Sequence, residues 1–199
     1  MFAVLFMFAL MLASLDGDAL VWWILWRGVP ASGNPRDLAS CPTHLVVYAK
    51  PMFDFARTGN AATVHLDTEA RRAPDACWGQ AYKNFAWIEL TMSQQAAIGA
   101  GFDTALVLDP DGLLAEGPGF NVAIVRDGKV LTPARNCLRG ISMLAVERLC
   151  ARLAIPFERT DIPMADVLDC DELFLTSTVG GVIPVRALDQ RTMPPAPVT

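Results

Sequence analysis

Residues 116–121 read Glu-Gly-Pro-Gly-Phe-Asn and place a carboxylate directly before two glycines. Glycine lets backbone approach a ligand closely, so an acid at this point can face a bound molecule. Lys83 lies upstream, and two hydroxyl side chains, Ser142 and Thr178, lie downstream. A lysine amine bonds to carbonyl groups, a carboxylate keeps a ring nitrogen protonated, and hydroxyls beside free N–H groups bind phosphate. This combination predicts pyridoxal phosphate chemistry.

The local signals around these residues predict how they are positioned. Lys83 follows an extended segment and precedes a helical pattern, so its side chain is expected to reach into a pocket. Glu116 ends the strand that follows a tight turn at residues 109–112. Ser142 lies at the start of a helix predicted over residues 141–154, where free N–H groups and the helix dipole favour an anion.

The remaining periodic segments predict a mixture of helices and strands. A first helix is expected to carry Phe85, Ile88, Met92 and Ala96 on one face. The second helix is expected to turn apolar residues inward, namely Ile141, Leu144, Ala145, Leu149 and Leu153. Strands are predicted at residues 20–26, 45–49, 64–66, 104–108, 113–115, 122–126, 129–131, 172–178 and 182–188.

The composition is that of a chain that packs a core. Its 199 residues are 53% apolar and 19% charged, which is enough for one large domain with part of another. The net charge of -5 and the lack of a basic run argue against a nucleic-acid partner. Five scattered cysteines are typical of reduced thiols in a cytosolic protein, and two histidines at no metal-ligand spacing predict no metal site.

An apolar run occupies residues 1–13. It lacks the preceding positive charges of a signal peptide, since Arg27 is the first basic residue, and it is too short to span a bilayer. Its length favours a buried helix that leads into the strand at residues 20–26, and no membrane association is expected. The alternative is a secreted or membrane-tethered protein led by this run.

Several longer motifs follow one another along the chain. They are Lys83-Asn84-Phe85-Ala86-Trp87, Leu114-Ala115-Glu116-Gly117-Pro118-Gly119-Phe120-Asn121, Asp127-Gly128, Thr132-Pro133, Leu138-Arg139-Gly140-Ile141-Ser142, Cys170-Asp171-Glu172-Leu173-Phe174 and Thr176-Ser177-Thr178-Val179-Gly180-Gly181. In this order they resemble the fold-type IV, or class IV, pyridoxal-phosphate-dependent aminotransferases. That family includes branched-chain, D-amino-acid and (R)-selective amine transaminases, and the resemblance extends from about residue 20 to residue 189.

The resemblance implies an α+β fold like that of D-amino-acid aminotransferase, with a mixed sheet and helices in a large domain. Residues 60–199 would form this pyridoxal-phosphate-binding domain, and residues 1–55 would be a remnant of the small N-terminal domain. The implied reaction moves an amino group from an amino acid or amine to a 2-oxo acid or ketone. The implied partners are these small molecules and a second copy of the chain in a cytoplasmic homodimer.

The resemblance also implies a role for each site residue. Lys83 attaches the cofactor and moves the proton between the substrate α carbon and C4′, while Glu116 pairs with the pyridine nitrogen. The backbone at Ile141 and Ser142, together with the Ser142 and Thr178 hydroxyls, holds the phosphate. The residues implied in the substrate pocket are Trp87, Val179 and Arg36.

Two departures from the family pattern are expected to matter. Met143 stands where the family has an arginine, and no counterpart of the upstream phosphate-binding arginine is present, so a chain truncated at its N-terminus is expected. The alternatives left open are an aminodeoxychorismate lyase using the same lysine and a non-catalytic remnant. Taken singly, Lys83 is also explained as a surface charge, Glu116 as a polar strand end and Ser142 as a helix cap.

Overall fold

The structure of the protein is a computed structural model that describes residues 17–52, 61–77, 79–80, 82–194 and 197–198. The chain divides into two units, Met1–Phe53 and Asp54–Thr199. The apolar run at residues 1–13, predicted as a buried helix, lies outside the described residues. No helix within the described ranges combines the length and apolar composition needed to cross a bilayer.

The smaller unit contains an antiparallel pair of strands, β1 (Ala19–Arg27) and β2 (Thr43–Pro51). The Gly28 N–H donates to the Pro42 carbonyl at 2.8 Å and closes the base of the connecting loop. That loop contains a 3-10 turn, Leu38–Ser40. The strands predicted at residues 20–26 and 45–49 are thus confirmed and extend further at both ends.

The larger unit is built on a nine-stranded sheet. Its strands are β3 (Ala62–Arg71), β4 (Thr104–Leu108), β5 (Leu114–Glu116), β6 (Asn121–Arg126), β7 (Lys129–Pro133), β8 (Phe157–Thr160), β9 (Glu172–Ser177), β10 (Gly181–Leu188) and β11 (Arg191–Thr192). The strand order is β5-β4-β3-β10-β9-β6-β7-β8, with β11 beside β10. Strand β3 runs parallel to β4 and β10, and β7 runs parallel to β8, while the other pairs are antiparallel. This confirms the predicted mixed sheet.

Three α-helices pack with this sheet in the described part of the chain: α1 (Ile88–Gly99), α2 (Ile141–Arg152) and α3 (Met164–Asp169). Helix α1 begins five residues after Lys83, so the predicted helical pattern starts too early. The face of α1 that carries Ile88 and Met92 is exposed, while Leu90 and Ala97 are buried.

The inward face predicted for α2 is wrong as well. Met143, Val146 and Cys150 are buried against β6 and β9, whereas Ile141 and Leu149 are exposed. The buried residues follow the i, i+3, i+7 spacing of a helix stripe, and the exposed ones form a second apolar stripe on the same helix. Because apolar residues lie on both sides, their spacing alone does not identify the side that packs.

Two turns fix the strands around Glu116. The Asp109 carboxylate accepts the N–H groups of Asp111 and Leu113, both at 2.9 Å, and the Gly112 N–H donates to the Asp109 carbonyl at 3.0 Å. This local bonding closes the predicted turn at residues 109–112 and leads the chain from β4 into β5. The next hairpin turns at Asp127 and Gly128, both at positive φ, as its two-residue loop requires.

Candidate active site

A cavity of about 280 Å³ in the larger unit brings together residues from distant parts of the chain. It lies between the loop before α1, the end of β5, the start of α2 and the end of β9. Its volume is near the roughly 300 Å³ lower end for sites that hold small-molecule ligands. The sequence-predicted residues that line it are Lys83, Trp87, Glu116, Ile141, Ser142 and Thr178.

Two predicted substrate-pocket residues are placed differently. Val179 follows the lining residue Thr178 but does not itself line the cavity. Arg36 belongs to the smaller unit, where its backbone N–H donates to the Asn34 side chain at 3.0 Å. Their roles toward a substrate stay predictions.

Glu116 is the buried acid of the cavity. It ends β5, opposite Val107 of β4, and is 4% exposed. Its Oε1 atom accepts a hydrogen bond from Nε of Arg72 at 2.6 Å, and its Oε2 atom accepts the Leu138 N–H at 2.9 Å. The side-chain amide of Asn121 lies 3.5 Å from Oε2. These contacts fix the carboxylate in one orientation at the cavity wall.

Burial raises the pKa of Glu116 above its ordinary value, because removal from water disfavours the charged carboxylate. The hydrogen bonds from Arg72 and Leu138 and the positive charges of Arg72 and Lys83 act in the opposite direction on this pKa. The positive charge of Lys83 therefore acts on Glu116 across the cavity that both residues line. A buried acid with directed donors is suited to hold a protonated ring nitrogen.

Arg72 is the central buried cation beside this acid. Its backbone N–H donates to the Leu108 carbonyl at 2.8 Å, directly after β3. Its Nη1 atom donates to Gln80 at 2.7 Å and to Glu89 at 2.8 Å. Arg71 and Arg72 are adjacent in the chain. Two adjacent arginines give no local signal for which of them is buried, so Arg72 was missed as a site residue.

The loop that carries Lys83 is held by Asn84. The Asn84 amide donates to the carbonyls of Gly79 at 2.8 Å and Tyr82 at 2.9 Å, and its side-chain oxygen accepts the Ala86 N–H at 2.7 Å. These bonds compete with helix formation, which explains why α1 starts only at Ile88. Lys83 is therefore presented at the cavity by an irregular loop.

The start of α2 forms another wall of the cavity. Gly140 is the N-cap residue, with no side-chain cap, so the first N–H groups of the helix need partners from outside it. A Cβ atom at Gly140 would lie 1.9 Å from Oδ1 of Asn121, so any other residue here requires the Asn121 side chain to shift. The Asn121 amide in turn donates to the Leu138 carbonyl at 2.6 Å. Asn121 thus ties the acid, the loop and the helix start together, a role that sequence reasoning missed.

Hydroxyl groups at the end of β9 complete the site. Ser177 accepts the Gly180 N–H at 3.0 Å, and Thr178 is exposed at the cavity. Thr176 is 2% exposed, and its buried hydroxyl has no hydrogen-bond partner among the described residues. A buried hydroxyl without a partner is unfavourable, and a ligand in the adjoining cavity is a source of one. The Thr-Ser-Thr run at residues 176–178 was the available signal, but only Thr178 was predicted.

The arrangement joins an amine, a buried acid and an uncapped helix start in one cavity. Such a set suits a ligand that has a carbonyl group, a basic ring nitrogen and an anionic group. No group of three or more His, Cys, Asp or Glu side chains within the described ranges is arranged to hold a metal ion.

The fold is that of the fold-type IV aminotransferases. The structure superposes with a TM-score of 0.85 on a branched-chain aminotransferase from Thermoproteus uzoniensis with norvaline, covering 98% of this chain and 67% of that chain at 21% identity. It also superposes with a TM-score of 0.81 on an aminotransferase from Brucella abortus bound to the co-factor PLP, covering 98% of this chain and 70% of that chain at 24% identity.

Residues 9–188 match the family model of amino-transferase class IV, and the chain belongs to this family. This confirms the family predicted from the motifs. A branched-chain-amino-acid aminotransferase from Pseudomonas aeruginosa is 37% identical over 136 residues, which are 68% of this chain and 42% of that protein. The chain therefore spans less than half of the length of this relative.

Proposed function

We propose that the protein is a pyridoxal-phosphate-dependent transaminase that moves an amino group from an amino acid or amine to a 2-oxo acid or ketone. The observation that carries this proposal is that Lys83 and Glu116 line one cavity together with the uncapped start of α2. Membership of the class IV family and the pyridoxal phosphate bound by the Brucella abortus relative support it.

The residues of the cavity fit this cofactor. The buried Thr176 hydroxyl has no partner in the described part of the chain, the start of α2 lacks a side-chain cap, and Glu116 is a buried acid. When bound, pyridoxal phosphate supplies an aldehyde for amine chemistry and a ring that withdraws electrons from the substrate α carbon. The first N–H groups of α2, at Ile141 and Ser142, would hold its phosphate with the Ser142 and Thr178 hydroxyls.

Lys83 and Glu116 would do the acid–base work. The Lys83 amine would attach to the cofactor aldehyde and, once displaced by the amino donor, would move a proton between the substrate α carbon and C4′. Glu116 would keep the proton on the pyridine nitrogen. Trp87 would shield one side of the cavity from water. Val179 and Arg36 are proposed to contact the substrate, with Arg36 pairing with a carboxylate.

The remaining proposals concern the surroundings of the site. The partners proposed for this chain are a small-molecule amino donor, a keto acceptor and a second copy of the chain in a homodimer. A cytoplasmic location is proposed with them, on the basis of the resemblance to the family.

The test is covalent labelling of the lysine. The chain is incubated with pyridoxal phosphate, reduced with borohydride and digested, and the modified residue is mapped by mass spectrometry. We expect the label on Lys83, and we expect Lys83→Ala to abolish it. Lys129→Ala is the matched control, because Lys129 is paired with Glu158 on the surface and should not affect labelling. Labelling that is unaffected by Lys83→Ala would overturn the proposal.

A second measurement addresses the reaction. A panel of amino donors is incubated with pyruvate or 2-oxoglutarate, and the new amino acid is measured. Formation of alanine or glutamate that depends on Lys83 supports amino transfer. A chain that is labelled at Lys83 but releases pyruvate from aminodeoxychorismate instead would be a lyase, and the transaminase proposal would be wrong.

A further inference from the structure

We propose that Arg139 binds the phosphate of the cofactor at the start of α2. The inference rests on the proposed function and adds a residue to the anion-binding wall of the cavity. The positive charge of that wall would then come from Arg139, in the loop directly before α2.

The charges around the cavity support this assignment. The cationic side chains that line it are Arg72, Lys83 and Arg139. Arg72 is committed to two carboxylates, with contacts of 2.6 Å to Glu116 and 2.8 Å to Glu89. Lys83 is the proposed point of covalent attachment. Arg139 makes no hydrogen bond or ion pair with the part of the chain that the structure describes, so its guanidinium is available to an anion.

The position of Arg139 places its charge beside the open helix start. Arg139 directly precedes the N-cap residue Gly140, and consecutive Cα atoms are about 3.8 Å apart. The first turn of α2 supplies no charge of its own, because Ile141, Ser142 and Met143 are uncharged. A guanidinium in this place adds its charge to the positive potential at the helix N-terminus. It also offers a planar pair of N–H donors whose geometry matches two phosphate oxygens.

The backbone around Arg139 is fixed before any ligand binds. The Leu138 N–H donates to Glu116 at 2.9 Å, and the Leu138 carbonyl accepts from Asn121 at 2.6 Å and from the Gly140 N–H at 2.9 Å. The loop is thus attached to the buried acid on one side and to the helix start on the other. Little backbone entropy remains to be lost when Arg139 binds, which favours affinity.

An independent observation points to a ligand at this wall. The Thr176 hydroxyl is buried, lines the same cavity as Arg139 and Ser142, and has no hydrogen-bond partner among the residues described. A ligand with acceptor oxygens would satisfy it. An unpaired guanidinium, an uncapped helix and an unpaired buried hydroxyl therefore share one cavity.

The test compares two ligands that differ only in the phosphate. Equilibrium dissociation constants of pyridoxal phosphate and of pyridoxal are measured for the wild-type chain, Arg139→Gln, Arg139→Lys and Arg148→Gln. We expect Arg139→Gln to weaken pyridoxal phosphate about 10- to 100-fold, as for loss of a charge-assisted hydrogen bond. The affinity of Arg139→Gln for pyridoxal should equal that of the wild-type chain. Arg139→Lys should retain part of the preference for pyridoxal phosphate over pyridoxal.

Arg148→Gln is the matched control. Arg148 is an exposed arginine of the same helix and does not line the cavity, so its loss should leave both constants unchanged. Thermal unfolding of each variant without ligand is measured alongside. Since Arg139 is exposed and makes no hydrogen bond or ion pair with the described residues, Arg139→Gln should unfold at the wild-type temperature.

The outcomes separate this inference from the proposed function. One outcome would overturn the inference alone. In it, borohydride traps both ligands on Lys83 of the wild-type chain, and Arg139→Gln still prefers pyridoxal phosphate over pyridoxal as strongly as the wild-type chain does. Unchanged pyridoxal phosphate affinity with a raised KM for carboxylate donors, but not for neutral amines, would assign Arg139 to the substrate carboxylate and also overturn it. A wild-type chain that binds neither ligand would overturn both.

Discussion

The Nε atom of Arg72 lies 2.6 Å from Oε1 of Glu116, and each side chain is only 6% exposed. The two residues are 44 positions apart in the chain, so the folded sheet creates this pair. Arg72 occupies one carboxylate oxygen, and the Leu138 N–H occupies the other. The acid is therefore oriented at the cavity by a buried network.

Replacing Arg72 with methionine is expected to destabilise the fold strongly. It would leave Glu116 and Glu89 without their buried partner, and breaking a buried ion pair costs about 3–5 kcal/mol in the free energy of unfolding. Chemical denaturation of this variant and of a control variant measures the cost in unfolding free energy. The control is Lys129→Met, because Lys129 pairs with Glu158 at the surface and such pairs contribute about 1 kcal/mol or less. Equal losses of unfolding free energy in the two variants would show that the buried ion pair stabilises the fold no more than a surface ion pair does.

The pH dependence of stability is expected to report the burial of Glu116. Burial raises its native pKa above the ordinary value of 4.5, so the native state holds the proton more tightly than the unfolded state does. Its contribution to stability is full below pH 4.5 and is lost as pH rises through the native pKa. The wild-type chain should thus lose stability relative to Glu116→Gln over this rise in pH. Denaturation at a series of pH values measures the difference in unfolding free energy between the two chains. A difference that does not change with pH would contradict the prediction.

Two buried threonines should respond in opposite ways to replacement by valine. The Thr132 hydroxyl donates to the Val122 carbonyl at 2.7 Å, so Thr132→Val should lose about 1 kcal/mol of unfolding free energy. The Thr176 hydroxyl has no partner in the described part of the chain, so Thr176→Val should be at least as stable as the wild-type chain. Thr176→Val should also bind pyridoxal phosphate more weakly. Denaturation tests the effect on stability, and ligand titration tests the effect on binding. Equal destabilisation of the two variants would contradict the interpretation that the Thr176 hydroxyl lacks a partner in the absence of ligand.

The sequence predicted best the features that depend on neighbouring residues. The turn at residues 109–112 is closed by the Asp109 side chain bonding to its own loop, and the hairpin at Asp127 and Gly128 uses residues that accept positive φ. Both signals are local, so the strand that ends in Glu116 could be placed. The residue types predicted the chemistry of the site, and the resemblance to a family then implied a role for each site residue.

Features that depend on distant pairing could not be predicted in this way. Strand β8 was missed because it pairs in parallel with β7, which only the folded sheet shows. The buried side of α2 was misassigned, since Met143 and Val146 face the core although Ile141 and Leu149 are equally apolar. The role of Arg72 likewise depends on Gln80, Glu89 and Glu116 converging in space.

A methyl group at Gly140 is expected to disturb the site through Asn121. A Cβ atom there would lie 1.9 Å from Oδ1 of Asn121, so Gly140→Ala must displace the amide that holds the Leu138 carbonyl. We expect a loss of about 1–3 kcal/mol in unfolding free energy, together with weaker pyridoxal phosphate binding. Gly99→Ala is the control, because Gly99 ends α1 with open space around it and alanine favours a helix.

Pairing this change with Asn121→Ala tests the cause. If the clash accounts for the loss, Gly140→Ala should cost less in the Asn121→Ala background than in the wild-type chain, because the obstructing amide is gone. Denaturation of the two single variants and the double variant gives this coupling directly. Costs that simply add would show that Gly140 is required for a reason other than the close approach of Asn121.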